Sequence, residues 1–210
     1  MLLTTDLIEP KNTSMSSFNP DEISRLIRNR RSIYPPQYSE KNIKKEIIDE
    51  ILENANWAPN HKLSEPWRFT VFSGEGLQKL GDFMADLYKK STSEKGVFNK
   101  NKFEMLKNKP CLASHVISIG MKRDEKERLP EIEEVEAVAC AVQNMCLTAT
   151  AYGVGSYWGS GGITYFEEAK PFFGLGPKDK LLGFMFLGYP KSDWPEGKRK
   201  PIGDKVSWVE

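Results

Sequence analysis

The chain has 210 residues, 39% of them hydrophobic and 28% charged, with 30 basic against 29 acidic side chains and a formal charge of +1. That length suits one domain with a short extension, and that composition can fill a core, which excludes disordered and fibrous classes. The charge balance disfavours a partner held by nucleic-acid phosphates, since such proteins are usually far more basic. Cysteines at 111, 140 and 146 cannot pair evenly and form no C-x-x-C, so free thiols in a reducing, cytoplasmic compartment are expected.

Residues 1–19 lack hydrophobic periodicity and read as a flexible extension ahead of a domain over 20–210. Met1-Leu2-Leu3 runs straight into Thr4, Thr5 and Asp6, so neither a basic region nor an apolar stretch of signal-peptide length precedes the domain. Asn19-Pro20-Asp21-Glu22 is a helix start, with Pro in the first turn and acids near the positive end of the dipole. Ile23, Leu26 and Ile27 then form one apolar stripe. After Ser39, apolar residues at 43, 47, 48, 51, 52 and 55 describe one buried helical face that Pro59 stops. Trp67 to Phe72 is short, aromatic and β-branched, which predicts a strand closed by Ser73-Gly74.

Leu77 to Tyr88 and Phe98 to Asn108 are amphipathic and helical. Val116, Ile117 and Ile119 sit in an uncharged run that reads as a strand buried on both faces, with His115 a hydrogen-bonded core residue beside it. An acidic start at Glu131 opens a long helix through about Tyr152. Its later turns are apolar almost all round, as in a central helix. Ala137 to Phe166 is 30 residues without a charge, but Gln143, Asn144, three Thr and five Gly interrupt it, so a buried helix and a glycine-rich turn are favoured over a membrane span. Leu181 to Leu187 is a further buried strand. Interleaved helices and strands give an α+β or α/β class.

Several chemistries lack their sequence signatures. No G-x-x-x-x-G-K-[ST] is present, and the nearest G-x-G-x-x-G has Trp158 at its third glycine position. His61 and His115 have no ligand-spaced neighbours, so no metal site is expected. No G-x-S-x-G surrounds Ser156 or Ser160.

Three segments instead suggest a phosphorylated aromatic cofactor. Arg28-Asn29-Arg30-Arg31-Ser32 follows the first helix; guanidinium forks fit phosphate bidentately, although such a cluster can also merely complement a helix C-terminus. Asn56-Trp57-Ala58-Pro59-Asn60-His61-Lys62-Leu63-Ser64-Glu65-Pro66-Trp67 is a proline-stiffened loop able to aim donors at a heterocycle, or an ordinary connection with core tryptophans. Gly153-Val154-Gly155-Ser156-Tyr157-Trp158-Gly159-Ser160-Gly161-Gly162 lets backbone approach a flat ligand, or is a turn plus an edge strand.

The order of these segments, with Ala-Pro-Asn-His-Lys-Leu-Ser-Glu-Pro-Trp-Arg-Phe, the Ala-Val-Gln-Asn-Met helix and the closing Leu-Gly-Phe-Met-Phe-Leu-Gly-Tyr-Pro strand, resembles the FMN-dependent nitroreductase family. It is most similar to the small members with a Pro-x-His-Lys motif. The resemblance runs from about residue 20 to 208. It implies a dimeric α+β fold whose central, mostly antiparallel sheet is covered by helices. It also implies FMN near the subunit interface, with NADH or NADPH as electron donor and a small flat acceptor such as a nitroaromatic or quinone, in ping-pong turnover.

By the same resemblance, Arg30, Arg31 and Ser32 would hold the FMN phosphate and ribityl chain, joined near the end of the chain by Arg199. Trp57 and His61 would reach the flavin from the partner subunit, while Trp158, Gly159 and Ser160 would line its other side. Gly159 stands where some relatives carry arginine, which removes a charged contact. No acid–base dyad or nucleophile stands out, so no catalytic side chain is assigned. A flavin carrier or sensor without turnover, or a related enzyme such as a dehalogenase, are the alternatives.

Overall fold

The computed structural model describes residues 18–210, so nearly all of the expected extension lies outside the described residues. The first helix, α1 (Pro20–Asn29), starts where the sequence places it: the Asn19 side chain accepts from the backbone N–H groups of Asp21 and Glu22. Its apolar stripe is a different matter. No residue of α1 is buried, and Ile23 and Ile27 are 45% and 50% exposed.

Helix α2 (Lys45–Asn56) is shorter than its apolar pattern, because Ile43 lies ahead of the helix and is buried there by a bond from its N–H to Ser114 Oγ. Strand β1 (Trp67–Ser73) is followed by α3 (Glu75–Ser93), α4 (Lys100–Asn108), β2 (His115–Met121), α5 (Glu131–Ala151), β3 (Gly155–Gly159) and β4 (Lys180–Gly188). The glycine-rich segment after α5 is thus largely an edge strand rather than an open loop. Its backbone groups pair with β4 from Gly155 opposite Gly188 to Gly159 opposite Phe184.

The four strands form one sheet in the order β1-β2-β4-β3, antiparallel at every step. Side chains alternate across it. Ile117, Ile119, Met185 and Leu187 face one core with Ile48, Ile51 and the inner side of α5. Val116, Phe184 and Phe186 face the other with Leu80, Met84 and Leu106 of α3 and α4. Two apolar faces per strand explain the near-continuous hydrophobic runs of β2 and β4 even in an antiparallel sheet. At the β2–β4 irregularity between Ile119 and Gly120, Gly183 adopts φ +125, and a Cβ there would sit 2.5 Å from the Gly159 carbonyl oxygen.

Two polar groups inside this frame are fully engaged. Ser114 Oγ is bonded to His115 Nδ1 at 2.9 Å, and burial lowers the pKa of that imidazole, which favours its neutral form. Glu134, 1% exposed in the first half of α5, pairs with Arg123 and accepts from the Asp124 N–H at 2.8 Å. Removing one partner of a buried ion pair strands the other. Glu134→Ala should therefore lower the melting temperature by roughly 10 °C, read by thermal unfolding. An unchanged transition would mean that the loop after β2 holds itself. Among the described residues no helix is long and apolar enough to cross a membrane, and no group of three metal-ligating side chains occurs.

Candidate functional site

The arginine segment is held in place from two sides. Beyond α1, Ser32 forms a parallel bridge with Ser156 of β3, and the Ile33 N–H donates to the Ser156 carbonyl at 3.0 Å. This close approach requires glycine at 155, where a Cβ would lie 2.8 Å from the Ile33 side chain. The buried Tyr38 hydroxyl sits 2.6 Å from the Ile33 carbonyl oxygen and 3.0 Å from that of Phe186, and burial pushes its pKa far above the ordinary phenol value. Tyr38 therefore remains a neutral donor that ties the arginine segment to β4.

From the other side the C-terminal tail returns to α1. Trp194 Nε1 donates to the Asn29 carbonyl, and the Pro195 carbonyl accepts from Arg31 Nε at 3.0 Å. That path brings Arg199, 169 residues beyond Arg30, into the same cavity of about 540 Å³ as Arg28, Arg30 and Arg31, with Gln143 of α5 and Gly197 completing the wall. No carboxylate lines it, and among the described residues none of these four arginines forms an ion pair.

The arginines differ in what they have left to give. Arg31 spends its Nε and one terminal nitrogen on the carbonyls of Pro195, Arg28 and Arg30, and Arg199 donates to the carbonyl of Lys198. Arg30 has no side-chain bond among the described residues, so its whole donor fork is free. Burial pushes the pKa of the Cys146 thiol up, opposed in part by a hydrogen bond with Ser156 and, less, by the charge of Arg30. Like charges gathered without an acid repel one another, and a polyanion with several acceptor oxygens is the ligand that reverses this. The donor set fits a phosphate ester.

Trp57 and His61 lie elsewhere in the chain. Trp57 is 77% exposed and donates from Nε1 to Glu53, while His61 Nδ1 meets Glu133 Oε2 at 2.6 Å. A carboxylate only accepts, so Nδ1 carries a proton and Nε2 is left free. Glu133 and Gln143 are ten residues apart on α5, about 15 Å along its axis, so one chain does not close these residues around the arginine cavity. Trp67, by contrast, is core, with its indole N–H on Asn56 Oδ1 at 2.9 Å.

Trp158 and Gly159 end β3. Trp158 is half-exposed and donates from Nε1 to the Leu182 carbonyl, and Ser160 follows, exposed. Beside Gly159 the structure adds a residue that local sequence could not single out. Lys109 points its Nζ over the rings of Tyr157 and Phe186, 4.8 and 4.6 Å from their centroids, and burial lowers its pKa. Arg28, part of the arginine segment from the start, lines the cavity with Arg30.

The chain from residue 27 to 189 matches the model of the nitroreductase family. A Bacillus subtilis (strain 168) protein named "Putative NAD(P)H nitroreductase YfhC" is 32% identical over 183 residues, covering 87% of this chain and 91% of that one. The nitroreductase-like family protein from Bacillus cereus superimposes with a TM-score of 0.75 at 29% identity, over 94% of this chain and all of the other. A nitroreductase with bound FMN from Bacteroides fragilis shares the fold at a TM-score of 0.64 and 22% identity, over 90% of this chain and 99% of that one. With this fold, an unpaired arginine cavity at the end of α1 and a family match through β4, the chain belongs to the nitroreductase family.

Proposed function

We propose that the protein is an FMN-dependent oxidoreductase that draws hydride from NADH or NADPH and delivers it to a flat acceptor such as a nitroaromatic or quinone. The observation that carries this reading is the convergence of Arg28, Arg30, Arg31 and Arg199 on one cavity without a counter-charge. FMN bound there would supply a two-electron relay between a nicotinamide and an acceptor. The family it shares with NAD(P)H-named relatives supports that chemistry.

The chain's own part is to bind and to orient. Arg30 and Arg199 would grip the phosphate, with Arg31 bracing the tail that carries Arg199. Ser32, exposed and bridged through its backbone to Ser156 of β3, follows Arg31 in the chain but is not part of the cavity wall, and its hydroxyl would add a donor from that edge. Trp158, Gly159 and Ser160 would line one side of the ring. Trp57 and His61 would reach it from the partner subunit, the latter oriented by Glu133 with its Nε2 outward.

A homodimer is part of the same reading. The exposed Ile23 and Ile27 of α1, Trp57, and the uncharged outward strip of α5 at Cys140 and Gln143 are surface that a second copy would cover. Most of the uncharged helix is buried in its own chain, so this strip and α1, rather than the whole of α5, would form the contact. Light scattering of the flavin-loaded protein at micromolar concentration should give a dimer; a flavin-loaded monomer would contradict the shared site.

A flavin held with one face open would serve two flat partners in turn, so nicotinamide would leave before the acceptor enters. Anaerobic NADH or NADPH should bleach the flavin absorbance, and double-reciprocal plots at several acceptor concentrations should be parallel. No bleaching with either donor would favour a flavin carrier, and intersecting lines would mean separate sites.

A further inference from the structure

A second polar cavity, of about 280 Å³, opens beside the loop that carries Trp57 and His61. Its walls are Arg68 at the start of β1 and the 122–128 segment after β2. Much of the charge there is already spent. Arg123 is held by Glu134, Arg128 by Asp124 at 2.8 Å, and Lys122 leans on Glu125 at 3.4 Å. Arg68 and Lys126 are left: neither forms an ion pair among the described residues, and Arg68 commits only NH1, to the carbonyls of Glu65 and Trp67.

Ser64 lines the same cavity, and its hydroxyl oxygen is the one buried side-chain polar atom among the described residues without a hydrogen-bond partner. Buried polar atoms nearly always have partners, so an orphan on a residue of the cavity wall marks a place for one. The backbone around it is held in an unusual shape: Lys62, Leu63 and Glu65 have φ of 53, 51 and 41, and none is glycine. Such residues persist only where their surroundings fix them, and they concentrate at ligand-binding loops. Here the fixing contacts are Asn60 Oδ1 on the Glu65 N–H at 3.1 Å and Lys62 Nζ on the Arg128 carbonyl at 3.4 Å.

We propose that this cavity takes a phosphate monoester, the 2′-phosphate of NADPH, and so gives the protein its preference between the two nicotinamide donors. The proposal rests on the oxidoreductase reading above. A monoester carries nearly two negative charges and three terminal oxygens, which match two unpaired cations and one hydroxyl donor. A pyrophosphate oxygen pair offers less charge at each phosphorus, and NADH has no monoester at all. The loop that supplies Ser64 also supplies His61, so a dinucleotide whose nicotinamide lies against the flavin has this basic cavity within the same neighbourhood.

Titration calorimetry on the flavin-loaded protein with NADP⁺, NAD⁺ and inorganic phosphate tests this directly. NADP⁺ should bind at least tenfold tighter than either of the others. Arg68→Gln should remove that margin and lower the kcat/KM ratio of NADPH over NADH by about tenfold, chiefly through KM. Lys126→Gln, at a side chain with no bond among the described residues, should shift the ratio the same way and keeps the test sound if Arg68→Gln fails to fold. Equal affinity for NADP⁺ and NAD⁺, an unmoved ratio in Lys126→Gln, or inorganic phosphate binding as tightly as NADP⁺ would overturn the proposal. NADP⁺ selectivity in a protein that holds no flavin would instead count against the oxidoreductase reading and leave the phosphate site standing.

Discussion

Arg30→Ala should weaken FMN binding by roughly 10- to 150-fold while leaving the fold intact, the loss expected when one charge-assisted contact to a phosphate is removed. Arg30 is the cleanest test because its donors are uncommitted among the described residues, whereas Arg31 also fastens the tail through Pro195. Arg31→Ala would therefore mix loss of a cation with release of Arg199, and its effect on flavin should be at least as large. Equilibrium dialysis followed by flavin absorbance measures both. Full flavin retention in Arg30→Ala, with an unchanged circular dichroism spectrum, would reduce the arginines to companions of a helix end.

Gly183→Val should be the most damaging single substitution in the sheet. Valine at φ +125 is strained whatever room it has, and here its Cβ would also meet the Gly159 carbonyl oxygen at 2.5 Å and Trp158 Nε1 at 3.0 Å. Backbone strain and overpacking each cost on the order of 1–3 kcal/mol, so about 2–6 kcal/mol together is expected. For a chain of this size that is a fall of roughly 4–24 °C in melting temperature. The site should fail as well, because the clash pushes on the end of β3 that carries Trp158 and Gly159. A stable Gly183→Val protein with normal flavin content would show that β3 can shift away from β4 without consequence.

The parts of this architecture that local periodicity encodes were legible in the sequence. Helices α2 and α5 and strands β1, β2 and β4 each bury a face, or both faces, whose spacing stands in the residue order. Strand β3 was harder to read, because Gly155 and Gly159 weaken the strand signal and its pairing comes from β4, some 30 residues on. Ile43 fits a helical pattern yet is fixed outside the helix by Ser114, and the stripe of α1 stays uncovered within its own chain. Neither fact is local.

The site divides in the same way. Arginine chemistry pointed to Arg30 and Arg31 as phosphate donors and the family resemblance added Arg199, and the tail path through Trp194 and Pro195 brings them together. Their separation from Trp57 and His61 depends on where α5 runs, which residue order does not state. Lys109 escaped notice because a lysine in a helix-to-strand connection is ordinarily solvated; only the Tyr157 and Phe186 rings above it make it unusual. Ser64 escaped for a similar reason, since a serine lacking a partner can be seen only once its surroundings are known.

Mass spectrometry of the cofactor released from the purified protein decides whether the arginine cavity holds the phosphate of FMN. FMN is expected at about one per chain, lost in Arg30→Ala after dialysis. FAD in its place, or a wild-type protein that neither carries nor takes up flavin, would contradict it.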